Sequence, residues 1–206
     1  MAFIFIIPFF KQKPFYRLNT LTFLSKIIPV KYFEALSLLR HNYMIILFSL
    51  VYVLAWCFCS IRGLPLFLLF LLTNFIMSFF SENEPLNVLR NNKALNGKHF
   101  LFRKLKIYIL PLFIAYFPII ALSSFFQPDL NILNFGFLML QILSVSAVIF
   151  YKYAIYKPNG YFNNFTNPVL VFVGLSAIIP YLIPIILFLN IQFYSKAVKN
   201  LNNYLQ

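Results

Sequence analysis

Long uncharged apolar stretches follow one another through most of this sequence. The clearest runs from Tyr43 to Ser60 (YMIILFSLVYVLAWCFCS), 18 residues without a charge. A helix needs about 20 mostly apolar residues to cross a hydrocarbon core of about 30 Å, and inside that core every backbone polar group must be satisfied internally. We therefore expect an all-α fold, a polytopic integral membrane helix bundle.

The composition agrees with a membrane location, and in a membrane protein the positive charge has a different interpretation from that in a soluble one. Hydrophobic residues make up 62% of the chain and charged residues 10%, with a mean hydropathy of +0.83, whereas soluble domains are about 25% charged. The net charge of +13 would suit a nucleic-acid ligand, but the basic residues flank apolar runs, as orientation signals do. We expect the lipid bilayer as a partner, no nucleic acid, and a location in the plasma (inner) membrane of a bacterium.

The chain divides into an N-terminal interfacial segment, residues 1–42, and a transmembrane domain, residues 43–206. Residues 30–42 can form an amphipathic helix that lies on the membrane surface. The last apolar run contains Pro180 and Pro184 and forms either one kinked helix or a re-entrant hairpin, which gives about five spans or six. The predicted spans are 43–60, 64–80, 107–126, 132–151 and 169–194.

The distribution of basic residues predicts the orientation of the bundle. With the N-terminus in the cytoplasm, 14 of the 17 Lys and Arg residues lie in segments 11–42, 81–106 and 152–168. Basic residues are concentrated on the cytoplasmic face of membrane proteins. We therefore expect these three segments to be cytoplasmic, and the short turns at Arg62 and at 127–131 to be external.

The range 81–106 is the longest polar interval of the sequence. Asn83 or Glu84 can cap a short amphipathic helix with Pro85 in its first turn, and Gly97 is placed to end that helix. Six of the 17 basic residues of the chain lie in the same interval. We expect a cytoplasmic loop that carries one helix and returns to the membrane behind a basic collar.

Residue types that support catalysis are scarce in the apolar runs. The predicted spans contain essentially no ionisable groups, which are the usual markers of proton relays and ion sites. Cys57 and Cys59 do not form a CxxC pattern, and no Gly-rich phosphate loop is present. We expect no enzymatic activity, no cofactor and no metal site.

In its order of elements the chain resembles an ABC-2-type transporter permease subunit. The run from Glu84-Pro85-Leu86 through Lys104 is similar to the acidic-Pro entry and basic return of the loop between the second and third spans in that family. The resemblance implies a coupling helix that docks on a separate cytosolic ATP-binding subunit, in an ATP-driven exporter assembled as a homodimer or heterodimer. The partner-binding residues would be apolar anchors exposed before docking and charged residues at their rim: Glu84, Pro85, Leu86, Leu89 and Arg90.

A second reading comes from another class of protein. Four or five apolar spans with a basic cytoplasmic face also fit a structural or assembly membrane protein that does not transport anything. The two readings differ in whether the loop binds an ATP-binding subunit.

Overall fold

A computed structural model of the chain describes residues 42–78, 80, 84, 86, 89, 96–158 and 180–205. These residues form helices and turns, and no strand occurs among them, which confirms the all-α prediction for this part of the chain. The predicted interfacial segment lies outside the described residues except for Asn42. The five long helices are α1 (Asn42–Cys57), α2 (Leu64–Ser78), α3 (Gly97–Phe126), α4 (Asn131–Ala154) and α5 (Ile183–Leu205).

Two of these helices are long and apolar enough to cross a membrane. They are α3, with 30 residues, and α4 together with the 3-10 turn before it, Pro128–Ala154. The predicted spans 107–126 and 132–151 are therefore helical throughout. Helices α1 and α2 are apolar but shorter, with 16 and 15 residues, and end before the predicted limits of their spans, 60 and 80.

Helices α1 and α2 form a hairpin that packs on α3. Gly63 lies in the turn with a φ of 72°, a left-handed conformation in which a side chain would be strained. Tyr52 Oη on α1 donates a hydrogen bond of 3.1 Å to the carbonyl of Ala115, and the hydroxyls of Thr73 on α2 and Tyr116 on α3 lie 3.1 Å apart. The two helices of the hairpin are thus each joined to the middle of α3.

Helix α3 begins earlier than the predicted third span. Asn96 caps it by accepting a hydrogen bond of 2.8 Å from the backbone N–H of His99. The prediction that Gly97 ends a helix is wrong, because Gly97 is the first residue of α3. A Cβ atom there would lie 2.9 Å from both Leu201 Cβ and the Val198 carbonyl oxygen, so the glycine permits close contact with α5.

Helices α4 and α5 run parallel to each other. Asn190 Nδ2 donates to the Leu143 carbonyl at 3.1 Å, and Asn200 Nδ2 donates to the Tyr153 carbonyl at 3.0 Å. Both pairs are 47 residues apart in the sequence, so the register advances in the same direction along both helices. The end of α4 and the start of α5 therefore lie at opposite ends of the bundle.

The last apolar run differs from the predicted span 169–194. Residues 169–179 lie outside the described part of the chain. A 3-10 turn at Pro180–Leu182 precedes α5, and Pro184 occupies its first turn, where a missing N–H costs little. The helix does not end at residue 194 but continues to Leu205. Its second half is polar outside and apolar inside, because Ala197 and Leu201 are buried.

The two ends of the bundle carry different charges. At one end, Arg62 Nη2 lies 3.2 Å from Asp129 Oδ2, so the two turns predicted to be external meet. At the other end lie the start of α3, the end of α4 and the end of α5, with most of the described lysines. Residues 96–106 and 152–158, which belong to two segments predicted to be cytoplasmic, thus share one end of the bundle.

The parallel arrangement of α4 and α5 makes a prediction about topology. In a chain without Cys57 and Cys59, we expect Tyr181→Cys to react with an impermeant thiol reagent on intact cells and Asn203→Cys to react only after the membrane is opened. Both positions are exposed. Labelling of Asn203→Cys on intact cells, with Tyr181→Cys labelled only after the membrane is opened, would contradict the parallel pairing.

The close approach at Gly97 makes a second prediction. We expect Gly97→Ala to lower stability by about 1 to 3 kcal/mol, because the added methyl group forces α3 away from the α5 backbone. Gly136→Ala in α4 is the matched control, since nothing lies within 4 Å of a Cβ there and alanine is the better helix former. Thermal unfolding in detergent measures both variants, and equal melting temperatures would show that the contact is not tight.

Candidate functional site

A buried ion pair joins the α2–α3 loop to α3. Glu84 has no exposed surface, and its Oε1 accepts hydrogen bonds from Lys104 Nζ and, at 3.0 Å, from Tyr153 Oη. Lys104 is 2% exposed and lies in the first part of α3, while Tyr153 is near the end of α4. One carboxylate thus connects the loop to two helices.

A second lysine lies in the same region. Lys152 on α4 is also fully buried, and its Nζ is 5.6 Å from the ring centroid of Phe80 and 5.6 Å from that of Tyr153. Lys104 Nζ is similarly close to Phe100, at 5.8 Å. Aromatic faces attract cations, and the attraction is larger where water is excluded. The aromatic rings therefore offset part of the cost of burying the two ammonium groups.

Tyr156 holds the backbone of the loop. Its hydroxyl donates a hydrogen bond of 2.6 Å to the carbonyl oxygen of Glu84. Burial, followed by the charge of Glu84 and by Tyr204, raises the pKa of Tyr156 to about 12. The phenol therefore stays protonated at physiological pH and remains a donor. We call Glu84, Lys104, Lys152, Tyr153 and Tyr156 the buried charge cluster.

Helix α5 closes the cluster from its other side. Asn200 Nδ2 donates to the carbonyls of Tyr153, at 3.0 Å, and Tyr156, at 3.1 Å, which lie where α4 ends. The Asn202 side chain accepts a hydrogen bond of 2.7 Å from the backbone N–H of Gly97, where α3 begins. Helix ends leave backbone groups without intrahelical partners, and α5 supplies partners for both.

Polar side chains also lie between α4 and α5 farther along the bundle. Ser146 Oγ donates a hydrogen bond of 2.7 Å to Asn190 Oδ1, and Asn190 Nδ2 donates one of 3.1 Å to the carbonyl of Leu143. Among apolar helices, such side chains contribute interhelical hydrogen bonds. The α4–α5 interface is therefore held by polar contacts along much of its length.

The predicted partner-binding residues occupy different environments. Glu84 and Leu89 both have 0% exposed surface, and Leu86 is half-buried. Pro85 and Arg90 lie outside the described residues. The expectation that Glu84 lies at an exposed rim and that Leu89 is exposed before docking is wrong. Lys104 and Tyr153 draw the carboxylate inward, and Leu89 belongs to the hydrophobic core. Partner binding by this loop stays a prediction.

Sequence reasoning missed Lys104, Lys152, Tyr153 and Tyr156. The sequence pattern predicts an orientation role for the two lysines, because a basic residue beside an apolar run usually faces headgroups. Tyr153 and Tyr156 lie just beyond the predicted span 132–151, in a segment predicted to be a cytoplasmic loop, so no helical spacing groups them. Nothing in the sequence indicates that they meet Glu84.

The cluster has the properties of an anchor. Glu84 Oε1 accepts hydrogen bonds from Lys104 and Tyr153, and the Glu84 carbonyl accepts one from Tyr156. Charges that have been removed from water need their partners, so separating Glu84 from Lys104 is costly. The start of the loop is therefore fixed to the end of the bundle.

Comparison with known proteins does not assign the chain to a family. No protein-family model, no curated protein and no solved structure matches it. Its function is therefore inferred from the contacts of its own residues.

The buried ion pair makes a prediction about stability. We expect Glu84→Leu to lower the free energy of unfolding by about 3 to 5 kcal/mol, because Lys104 stays buried without the carboxylate. The double variant Glu84→Leu/Lys104→Leu should lose less than Glu84→Leu alone, since no charge is left without its counter-charge. Thermal unfolding in detergent measures all variants.

The control for this prediction is the ion pair at the opposite end of the bundle. The Arg62 and Asp129 side chains are 77% and 62% exposed, so Arg62→Gln should cost at most about 1 kcal/mol. If Glu84→Leu changes stability as little as Arg62→Gln does, the cluster is not an anchor.

Proposed function

We propose that this chain is the membrane permease subunit of an ATP-driven exporter, and that the 81–106 loop couples it to a separate cytosolic ATP-binding subunit. The observation that carries the proposal is the fixation of this loop by Glu84 to α3 and α4, beside the end of α5. Two helices long and apolar enough to cross a membrane support the membrane location.

A coupling element must move together with the helices that it drives. A loop joined to the bundle by flexible chain alone would absorb the displacement of a docked partner. Here the loop backbone is held by Tyr156 and its carboxylate by Lys104 and Tyr153, so a force on the loop reaches α3 and α4 directly. The ion pair is costly to open, which favours movement of the helix ends over movement of the loop alone.

The burial of two predicted contact residues changes how docking would work. Glu84 and Leu89 face the core of the chain, so we assign them to the inner side of the loop. Pro85, Leu86 and Arg90 remain the proposed contacts with the ATP-binding subunit. The division gives the loop an inner side that holds the bundle and an outer side that binds the partner.

A structural or assembly protein is the second candidate. One observation favours it: the polar residues Asn134, Gln141 and Ser144 of α4 are buried, and two clefts in the described part of the chain lie along the outer surface of α3. A path along that surface would need a second subunit to enclose it. For this reason we propose that the permease works as a homodimer or with a related subunit.

Purification in mild detergent tests the proposal. We expect an ATP-binding subunit to copurify with the wild-type chain and to be lost from Arg90→Glu, since reversing a charge at the rim of an interface weakens association. Lys199→Glu is the control, because it makes the same change of charge at an exposed position of α5. A wild-type preparation without any ATP-binding subunit would favour the structural protein, and equal retention by both variants would remove Arg90 from the interface.

A further inference from the structure

Two depressions follow each other along the outward face of α3. The first, which we call the basic cleft, has a volume of about 320 Å³ and is lined by Asn96, Lys98, His99, Phe102, Leu105 and Tyr194. The second, the apolar groove, has a volume of about 330 Å³ and is lined by Phe102, Leu105, Lys106, Ile109, Leu110 and Phe113. Phe102 and Leu105 line both, so the two depressions form one continuous surface.

The apolar groove has the length of one membrane leaflet. Phe102 and Phe113 are separated by about 16 Å along the helix axis at 1.5 Å per residue. Half of a hydrocarbon core of about 30 Å is about 15 Å. Phe102 and Leu110 are 69% and 49% exposed, so this surface is covered only when something apolar lies against it. A single acyl chain matches it in length and chemistry.

The basic cleft carries positive charge that the described acids do not neutralise. Lys98 and His99 lie at the polar end of α3 and are exposed, and Lys106, also exposed, lines the adjoining apolar groove. Of the two acids in the described ranges, Glu84 is buried in the cluster with Lys104, and Asp129 lies with Arg62 at the other end of the bundle. The cleft is therefore complementary to an anion.

We propose that this surface binds one anionic glycerophospholipid. Its phosphate lies in the basic cleft against Lys98 and His99. One acyl chain lies in the apolar groove against Ile109 and Phe113, and Lys106, which lines that groove, adds a second positive charge near the headgroup. Tyr194 closes the cleft from α5. The lipid would thus contact both α3 and α5 near the buried charge cluster. The proposal rests on the membrane location and does not depend on transport or on an ATP-binding subunit.

Native mass spectrometry of the full chain tests the proposal. The protein is released from nanodiscs that contain equal amounts of phosphatidylglycerol and phosphatidylcholine. We expect the wild type to retain one phosphatidylglycerol in preference to phosphatidylcholine. Lys98→Gln/Lys106→Gln should reduce that preference by about 30-fold. Each lysine near an anionic headgroup contributes a factor of about five to the affinity, and the two factors multiply.

Lys196→Gln/Lys199→Gln is the matched control. It removes the same charge from exposed positions of α5 that line neither depression, so it should keep the wild-type preference. Glycerol 3-phosphate added in excess should not displace the lipid, because the soluble anion leaves the groove uncovered. Equal retention of both lipids by the wild type, or equal loss in both lysine variants, would overturn the proposal.

Two further outcomes would also overturn it. Displacement of the lipid by glycerol 3-phosphate would show that the cleft binds the phosphate group alone and that the acyl chain contributes nothing. A dimer whose lipid content does not depend on Lys98 and Lys106 would assign this face of α3 to the second copy. Failure of the lipid proposal can be distinguished from failure of the proposed function, since the lipid measurement does not require the ATP-binding subunit.

Discussion

The pairing of Glu84 with Lys104 is the contact on which one end of the bundle depends. Both groups are almost completely buried, so each is stable there only in the presence of the other. Tyr153 and Tyr156 add hydrogen bonds from the end of α4 to the side chain and the backbone of the same residue. The pair and the two tyrosines thereby hold the loop at Glu84 against α3 and the end of α4.

The two ends of the bundle each carry an ion pair, exposed at one end and buried at the other. The exposed pair of Arg62 and Asp129 joins two short turns at one end and is screened by solvent. The buried pair at the other end is surrounded by aromatic rings, where electrostatic interactions are stronger. The end that carries most of the described lysines is thus also the end where charge is used for packing, and the proposed coupling loop and lipid surface both lie there.

The sequence predicted the helical elements better than their contacts. Apolar length placed α1 to α4 close to their observed positions, because a run of uncharged residues is a local property. The third span was predicted to begin at residue 107, where the apolar run begins after the basic residues, whereas the helix begins at Gly97, which lies against Leu201. The buried charge cluster could not be predicted, since a lysine beside an apolar run has the same local pattern whether it meets headgroups or a distant carboxylate.

The parallel pairing of α4 and α5 has a consequence for the order of folding. Hairpins such as α1–α2 and α3–α4 can form as soon as their second helix is made, but α5 reaches its place only after the chain has returned to the opposite end. The bond from Gly97 to Asn202 closes a separation of 105 residues. Contacts of this kind form late, because the loop must be closed before they contribute. The start of α3 and the end of α4 therefore lack their hydrogen bonds to Asn202 and Asn200 until α5 is in place.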